Sequence, residues 1–179
     1  DGKASLIMSG ATIRDKRTEV SLNATYHEES RSISVGLASS DEDDYESRAI
    51  SISGDWEMNN KLSTLSLGMS YSSDDIEPTD ALSFGRVQRE EKKSRSLSVG
   101  WAQVLNKNSV LHVGLDVTDH DGYLSDPYKL RDVRPDEKLE WALSLKYRRY
   151  FDNQNAALHL DYRYYDDDWG INSHSLYTG

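Results

Sequence analysis

The chain has 179 residues, a formal net charge of −10 and a sequence pI near 4.9. That acidic balance repels phosphate backbones, so no nucleic acid is expected as a partner. Cysteine is absent, which excludes disulfides, thiolate metal sites and cysteine nucleophiles, and no run of about eighteen apolar residues offers a membrane-spanning helix.

Period-two alternation dominates the chain from end to end. Residues 4–13 form a weak first candidate. In 19–26 the apolar set is Val20, Leu22, Ala24 and Tyr26; in 32–38 it is Ile33, Val35 and Leu37; in 49–56 it is Ile50, Ile52, Gly54 and Trp56. Leu65, Leu67, Met69 and Tyr71 follow, then Leu97, Val99 and Trp101, then Leu111, Val113, Leu115 and Val117. Leu139, Trp141, Leu143, Leu145 and Tyr147 precede Leu158, Leu160, Tyr162 and Tyr164, and residues 171–178 close the series weakly. This gives about ten strands of roughly eight to twelve residues, and no helix.

The connections alternate in length. Short polar turns fall at 27–30, 58–61, 106–108 and 152–153, and longer segments at 39–45, 72–93, 118–137 and 165–170, with 14–17 a short member of the second set. Every second connection is tight, so sequence neighbours form antiparallel hairpins. Asn and Asp tolerate positive φ, and "MNNK" and "FDNQ" therefore suggest two-residue turns. Such a turn at 152–153 pairs Tyr147 with Leu158, Leu145 with Leu160, Leu143 with Tyr162 and Trp141 with Tyr164, all on one apolar face, with Lys146 opposite His159 and Ser144 opposite Asp161 on the other. A one-residue slip would destroy both faces.

The apolar face has three candidate environments: the partner sheet of a soluble sandwich, the inside of a soluble barrel, or lipid outside a membrane barrel with a polar lumen. The third is favoured. The strands are near the length that crosses a tilted bilayer. Aromatics gather at both ends, with Tyr26, Trp56, Trp101, Tyr150 and Phe151 near the short turns and Tyr71, Trp141, Tyr162 and Tyr164 near the long loops, as two interfacial girdles require. Short turns and long loops also match periplasmic and extracellular connections. The alternative is a soluble antiparallel sheet with an ordinary wet face.

The expected fold is thus all-β: an antiparallel up-and-down transmembrane β-barrel in the Gram-negative outer membrane, with residues 1–179 as one barrel domain or a fragment of one. Lipid requires closure, and the end "SHSLYTG" lacks a terminal aromatic residue, so further strands are expected beyond one or both ends.

Residues 121–176 resemble the bacterial outer-membrane proteins grouped as domain of unknown function 3570. The resemblance is carried by "GYLSDPYKL" (122–130), "RPDEK" (134–138), "LKYRRYF" (145–151) and "LDYRYYDDDWGINSHSL" (160–176), about a third of the chain. It implies a longer, many-stranded barrel and no known reaction or catalytic residue. It also implies genomic neighbours in thiol redox and flavin attachment, and through them a role in envelope electron transfer or cofactor handling.

Parity places His112, Asp116, Glu140, Lys146, Arg148, His159, Asp161 and Arg163 on the polar face of three consecutive strands. The set reads either as a selectivity constriction or as cross-strand charge pairs that stiffen the sheet. The acidic runs "SSDEDDYES", "SSDDIEPTD" and "YYDDDWG" read as solvated loop charge or as sites for hard cations such as Ca²⁺ or Mg²⁺; Asp166, Asp167 and Asp168 are the first choice, with divalent ions bridging them to lipopolysaccharide phosphates. No other cofactor is expected. A hydrolase site would have to draw on His112 or His159, and with no nucleotide, phosphate-loop or metal-spaced motif present, no enzyme is expected. The expected function is a passive channel or solute pathway, a porin-like transport role. The alternative is a plugged scaffold for a periplasmic or surface protein partner in envelope redox chemistry. The remaining partners are the bilayer and lipopolysaccharide.

Overall fold

The computed structural model describes residues 16–129 and 132–179; the candidate strand at 4–13 lies outside them. Nine strands follow in chain order: β1 (Thr18–Glu28), β2 (Arg31–Asp41), β3 (Tyr45–Met58), β4 (Ser63–Ile76), β5 (Glu90–Asn106), β6 (Ser109–Gly122), β7 (Glu137–Phe151), β8 (Ala156–Asp167) and β9 (Asn172–Thr178). A single helical turn, α1 (Ala81–Phe84), sits in the β4–β5 loop. Each strand pairs antiparallel with its sequence neighbours, in the order β1 to β9, in one uninterrupted up-and-down sheet. The described sheet is open, with β1 and β9 at its edges.

The alternation in the sequence becomes two faces of this sheet. Directly opposed residues carry the apolar set across every strand, as in the row Leu22–Leu37–Ile50–Tyr71 and the row Val35–Ile52–Met69–Leu97–Val117–Trp141. The other face carries rows such as Asn23–Gly36–Ser51–Ser70–Ser96–Thr118–Glu140. At three points its glycines let a neighbouring hydroxyl come close: a Cβ on Gly36 would stand 2.6 Å from the Ser51 hydroxyl, one on Gly114 would stand 2.7 Å from that of Ser144, and one on Gly68 would run into that of Ser98.

Turn length departs from expectation at two hairpins. The β1–β2 and β5–β6 turns have two residues, 29–30 and 107–108, the second preceded by a bulge at Leu105. The β3–β4 and β7–β8 turns have four, 59–62 and 152–155. Asn59, Asn60 and Lys61 all take positive φ, so the left-handed conformation expected of the Asn pair sits inside a longer loop at β3–β4, whereas at β7–β8 it falls on Asn155 rather than on Asp152 and Asn153. The β7–β8 register therefore moves by two residues: Tyr147 faces Leu160, Leu145 faces Tyr162, Leu143 faces Tyr164, and Trp141 faces Asp166. On the other face Lys146 meets Asp161 and Ser144 meets Arg163. A two-residue shift preserves parity, and both faces survive intact.

The strands on the long-loop side outrun the apolar alternation. β4 continues to Ile76, β5 starts at Glu90, and β6 continues to Gly122. Cross-strand ion pairs carry these extensions, among them Asp74 with Lys92 at 2.9 Å and Arg95 with Asp119 at 3.0 Å, the kind of pairing that stabilises opposed positions in a sheet.

The apolar face of the described sheet is not packed against anything. Among the described residues the only buried large-sheet apolar side chain is Ala142, at 4% exposure, on the polar face. Ile52 is 51% exposed and Leu143 40%. Along β5, Leu97, Val99 and Trp101 are exposed while the intervening Ser96, Ser98 and Gly100 are half-buried. Along β6–β8 the contrast is absent, with Val113, Leu145 and Leu160 half-buried and His112, Asp116 and Lys146 exposed, but no large apolar side chain of the described sheet is buried, so the sheet has no dry core of its own.

Candidate functional site

The polar face divides into two walls. β1–β5 supply hydroxyls and amides joined across strands: Thr25 with Ser34 at 2.9 Å, Ser32 and Ser66 both donating to Asp55 at 3.1 and 2.6 Å, and Ser96 with Thr118 at 3.0 Å. β6–β8 supply the charges. All eight charged residues expected on this face share its parity, but they form separate groups. Arg148 grips Asp161 with both guanidinium nitrogens, the second at 2.8 Å, and lies directly opposite His159. Lys146 stands between His112 and Asp161 in one row. Arg163, exposed, lies over the Tyr165 ring at 5.3 Å. Asp116 is exposed and opposite Ser98 and Ala142. Among the described residues, neither Arg163, Lys146 nor Asp116 forms a side-chain ion pair within 4 Å, whereas Arg148 does.

Glu140 lies apart, near the long-loop end, in a cluster the sequence did not reveal. Lys138 donates to Glu140 at 2.6 Å and to the Tyr165 hydroxyl at 2.9 Å, and is 3.2 Å from Asp167. Tyr165 is within hydrogen-bond range of both carboxylates, and Asp167 also accepts from the Ile171 backbone N–H at 2.8 Å. His120 reaches the same Glu140 at 3.5 Å and meets the Ser94 hydroxyl at 2.8 Å through its other nitrogen. Lys138 is also 5.2 Å from the Trp169 ring. The available signal was the alternation itself: Lys138, Glu140 and the polar-face partners Tyr165 and Asp167 share one parity, but their meeting depends on the β7–β8 register.

The three aspartates chosen for a divalent ion do not converge. Adjacent strand residues face opposite ways: Asp166 is on the apolar-face parity opposite Trp141 and accepts from Tyr164 at 3.0 Å, while Asp167 is buried on the polar face against Lys138. Asp168 is exposed in the turn beyond β8. Among the described residues no group of three His, Cys, Asp or Glu side chains is arranged to hold a metal ion.

The aromatic set lies on the apolar face, with Tyr26, Trp56 and Trp101 toward the short turns and Tyr71, Trp141, Tyr162 and Tyr164 toward the long loops. Trp141 and Tyr164 meet edge to face, with ring centroids 5.2 Å apart. Tyr150 departs from the expected girdle: it has polar-face parity, opposite Ala157, and its hydroxyl donates to Asn155 at 2.5 Å.

The long loops are cross-braced. Tyr128 of the β6–β7 loop accepts from the Thr79 backbone N–H at 3.2 Å and donates to Asp44 of the β2–β3 turn. Arg86 lies 4.7 Å from the rings of both Phe84 and Tyr128. Within the β6–β7 loop, Asp132 accepts the Asp126 backbone N–H at 2.7 Å and the Arg134 guanidinium at 3.1 Å. That backbone donor, followed by the Arg134 charge, holds the Asp132 carboxyl below its usual range.

Comparison with known proteins agrees with this architecture. No curated protein sequence matches the chain. Among solved structures, CdiB from Acinetobacter baumannii, an outer-membrane β-barrel protein, superposes with a TM-score of 0.53 at 13% identity, over 89% of this chain and 33% of CdiB. The likeness is one of fold, and the chain spans about a third of the CdiB length. The family described as "Protein of unknown function (DUF3570)" matches residues 7–179. The chain belongs to that family, and its antiparallel, up-and-down, all-β sheet is similar in fold to part of the CdiB β-barrel.

Proposed function

We propose that this chain is part of the wall of a β-barrel in the Gram-negative outer membrane and lines a passive pathway for polar solutes. The uncovered apolar face carries this reading: side chains such as Ile52 and Leu143 stand open on one side, and hydroxyls and charges share the parity of the other. Hydrocarbon satisfies the first face and water the second. The apolar positions of β7, from Leu139 to Tyr147, cover roughly 27 Å of strand at about 3.4 Å per residue. Tilted by about 40°, that is roughly 21 Å, close to the ~25 Å apolar band of such barrels. Closure requires strands beside the outer edges of β1 and β9, because lipid offers no hydrogen bonds to an open edge.

A lumen lined by hydroxyls and by incompletely paired charges stays wet. It has a neutral serine side and a charged side on β6–β8, where Arg163, Lys146 and Asp116 contact the permeating solute. The pathway needs no cofactor and no chemistry. The test is planar-bilayer recording from the full-length protein. Resolved single-channel steps are expected. Electrical silence, with insertion verified by heat-modifiable migration, rejects the open pathway and favours a plugged scaffold.

A further inference from the structure

We infer that the outer face of β3–β5 binds a phosphorylated glycolipid of the outer leaflet, with its phosphates at Arg48, Lys93 and Arg95 and an acyl chain in the groove below them. This rests on the outer-membrane reading above and adds a defined site to it.

Parity first places the three cations. Arg48 and Lys93 both flank Ser73 in one register row, and Arg95 lies across from Tyr71 in the next. All three therefore belong to the apolar face, at the level where its aliphatic residues end: Arg48 follows Ile50, and Arg95 follows Leu97. Arg48 and Arg95 are 72% and 60% exposed in their side chains. Each cation has one carboxylate near it: Glu46 at 2.5 Å from Arg48, Glu91 at 3.4 Å from Lys93 and Asp119 at 3.0 Å from Arg95. Glu46 and Glu91 lie farther toward the loops than the cations they pair with. The sequence of chemistry along the outer face is thus apolar, then basic, then acidic. Cations at the edge of an apolar belt meet lipid phosphates, and the exposed same-strand pairs of Arg48 with Glu46 and Lys93 with Glu91 contribute little that a phosphate would have to displace.

A second observation lies directly below. On the outer face, Val35, Ile50, Ile52, Met69 and Tyr71 line a shallow apolar groove. Ile52 and Met69 also belong to an adjoining depression that continues over Gly54 to Trp56. Gly54 leaves the outer surface bare of a side chain there, and the Trp56 ring lies across it, with ring carbons 2.7–3.2 Å from where a Cβ would stand. From Ile50 to Trp56 the path is roughly 20 Å at about 3.4 Å per residue, enough for most of an extended fatty acyl chain. Head and tail sites are contiguous, on the same strands and the same face. The arginine forks suit phosphate oxygens in paired geometry.

The probe is bisphosphorylated lipid A, added to the full-length protein in detergent and followed by native mass spectrometry. The wild-type protein retains the lipid. Arg48→Gln with Arg95→Gln lowers its apparent affinity roughly tenfold or more, whereas Arg31→Gln, a cation on the same face at the opposite end of the strands, leaves it unchanged. Dephosphorylated lipid A binds the wild type as weakly as the lipid binds the double variant, and inorganic phosphate at millimolar concentration does not compete. Arg48→Lys with Arg95→Lys keeps most of the binding, which separates loss of charge from loss of fold. Equal retention by wild type and double Gln variant, or equal binding of the dephosphorylated lipid, overturns the site. Conductance read on the same variants is unchanged if the pathway reading holds, so failure of the lipid site and failure of the channel are distinguishable.

Discussion

The hydroxyl of Tyr128, in the β6–β7 loop, donates to the carboxylate of Asp44, in the turn between β2 and β3. The two belong to hairpin ends separated by β4 and β5, so this contact ties one rim of the sheet to another. Thr79 and Arg86 of the β4–β5 loop join the same cluster. A hydrogen bond to a charged group is worth about 1.5–3 kcal/mol. Tyr128→Phe removes the donor but keeps the ring under Arg86. Backbone exchange in the β6–β7 loop is expected to accelerate roughly tenfold in hydrogen–deuterium exchange of the full-length protein, with exchange in β3 and β6 unaltered. Unchanged loop exchange would show that the brace does not hold the loop.

The same loop is braced internally by a group that titrates. Asp132, held ionised by the Asp126 backbone N–H and by Arg134, has its carboxyl lowered from an ordinary value of 3.8. A carboxyl depressed in the folded state contributes ordering that is fully present above its unfolded value and lost as pH falls through its folded value. Protection of the Asp126 amide should therefore persist as pH falls to the usual carboxylate range and disappear only below it. In Asp132→Asn the amide side chain keeps an acceptor without the charge, and protection of the amide should be weaker at neutral pH and insensitive to acid. Loss of protection in the wild type well above the carboxylate range would contradict this.

Ion selectivity should follow pairing rather than mere presence on the polar face. Arg148 is neutralised by Asp161, while Arg163 has only a ring beneath it. Arg163→Gln is therefore expected to shift the reversal potential under a salt gradient toward cation preference by more than removal of the neutralised pair together, Arg148→Gln with Asp161→Asn, does. Asp161→Asn should shift it toward anions, by releasing the Arg148 charge into the lumen. These are bilayer measurements at low salt, where screening is weakest. A shift from the double variant equal to that from Arg163→Gln would mean that the paired and unpaired guanidinium groups contribute alike.

Much of this fold was legible in the alternation. Faces, hairpin order and the sides of the short and long connections all follow from which residues recur at every second position. Turn length was not, because an Asn pair satisfies a two-residue hairpin and a four-residue loop equally well; Asn59, Asn60 and Lys61 use left-handed conformations inside the longer one. The strand extensions were missed for a different reason. Past Tyr71 and Leu97 the alternation loses its greasy member, and Asp74–Lys92 and Arg95–Asp119 keep the strands paired by charge instead. The Lys138–Glu140–Tyr165–Asp167 cluster escapes the alternation for both reasons: Tyr165 and Asp167 lie past its regular part, and the register that joins them to β7 is two residues away from the one a two-residue turn gives.

The assignment of the two faces has its own decisive substitution. Leu115 sits between Val99 and Leu143 in the middle of the apolar face, and Ser98 sits between Gly68 and Asp116 in the middle of the polar one. An arginine placed in hydrocarbon at mid-membrane costs about 2–4 kcal/mol, because its charge has neither water nor a counter-ion there. Leu115→Arg should lose that amount in reversible urea unfolding from lipid vesicles. Ser98→Arg meets water and the carboxylate of Asp116 across the strand, and its cost should stay within about 1 kcal/mol. If the serine face were instead the one against lipid, the order of the two variants would reverse. If both faces were solvated, as in an open soluble sheet, Leu115→Arg would be nearly neutral and the protein would fold without vesicles.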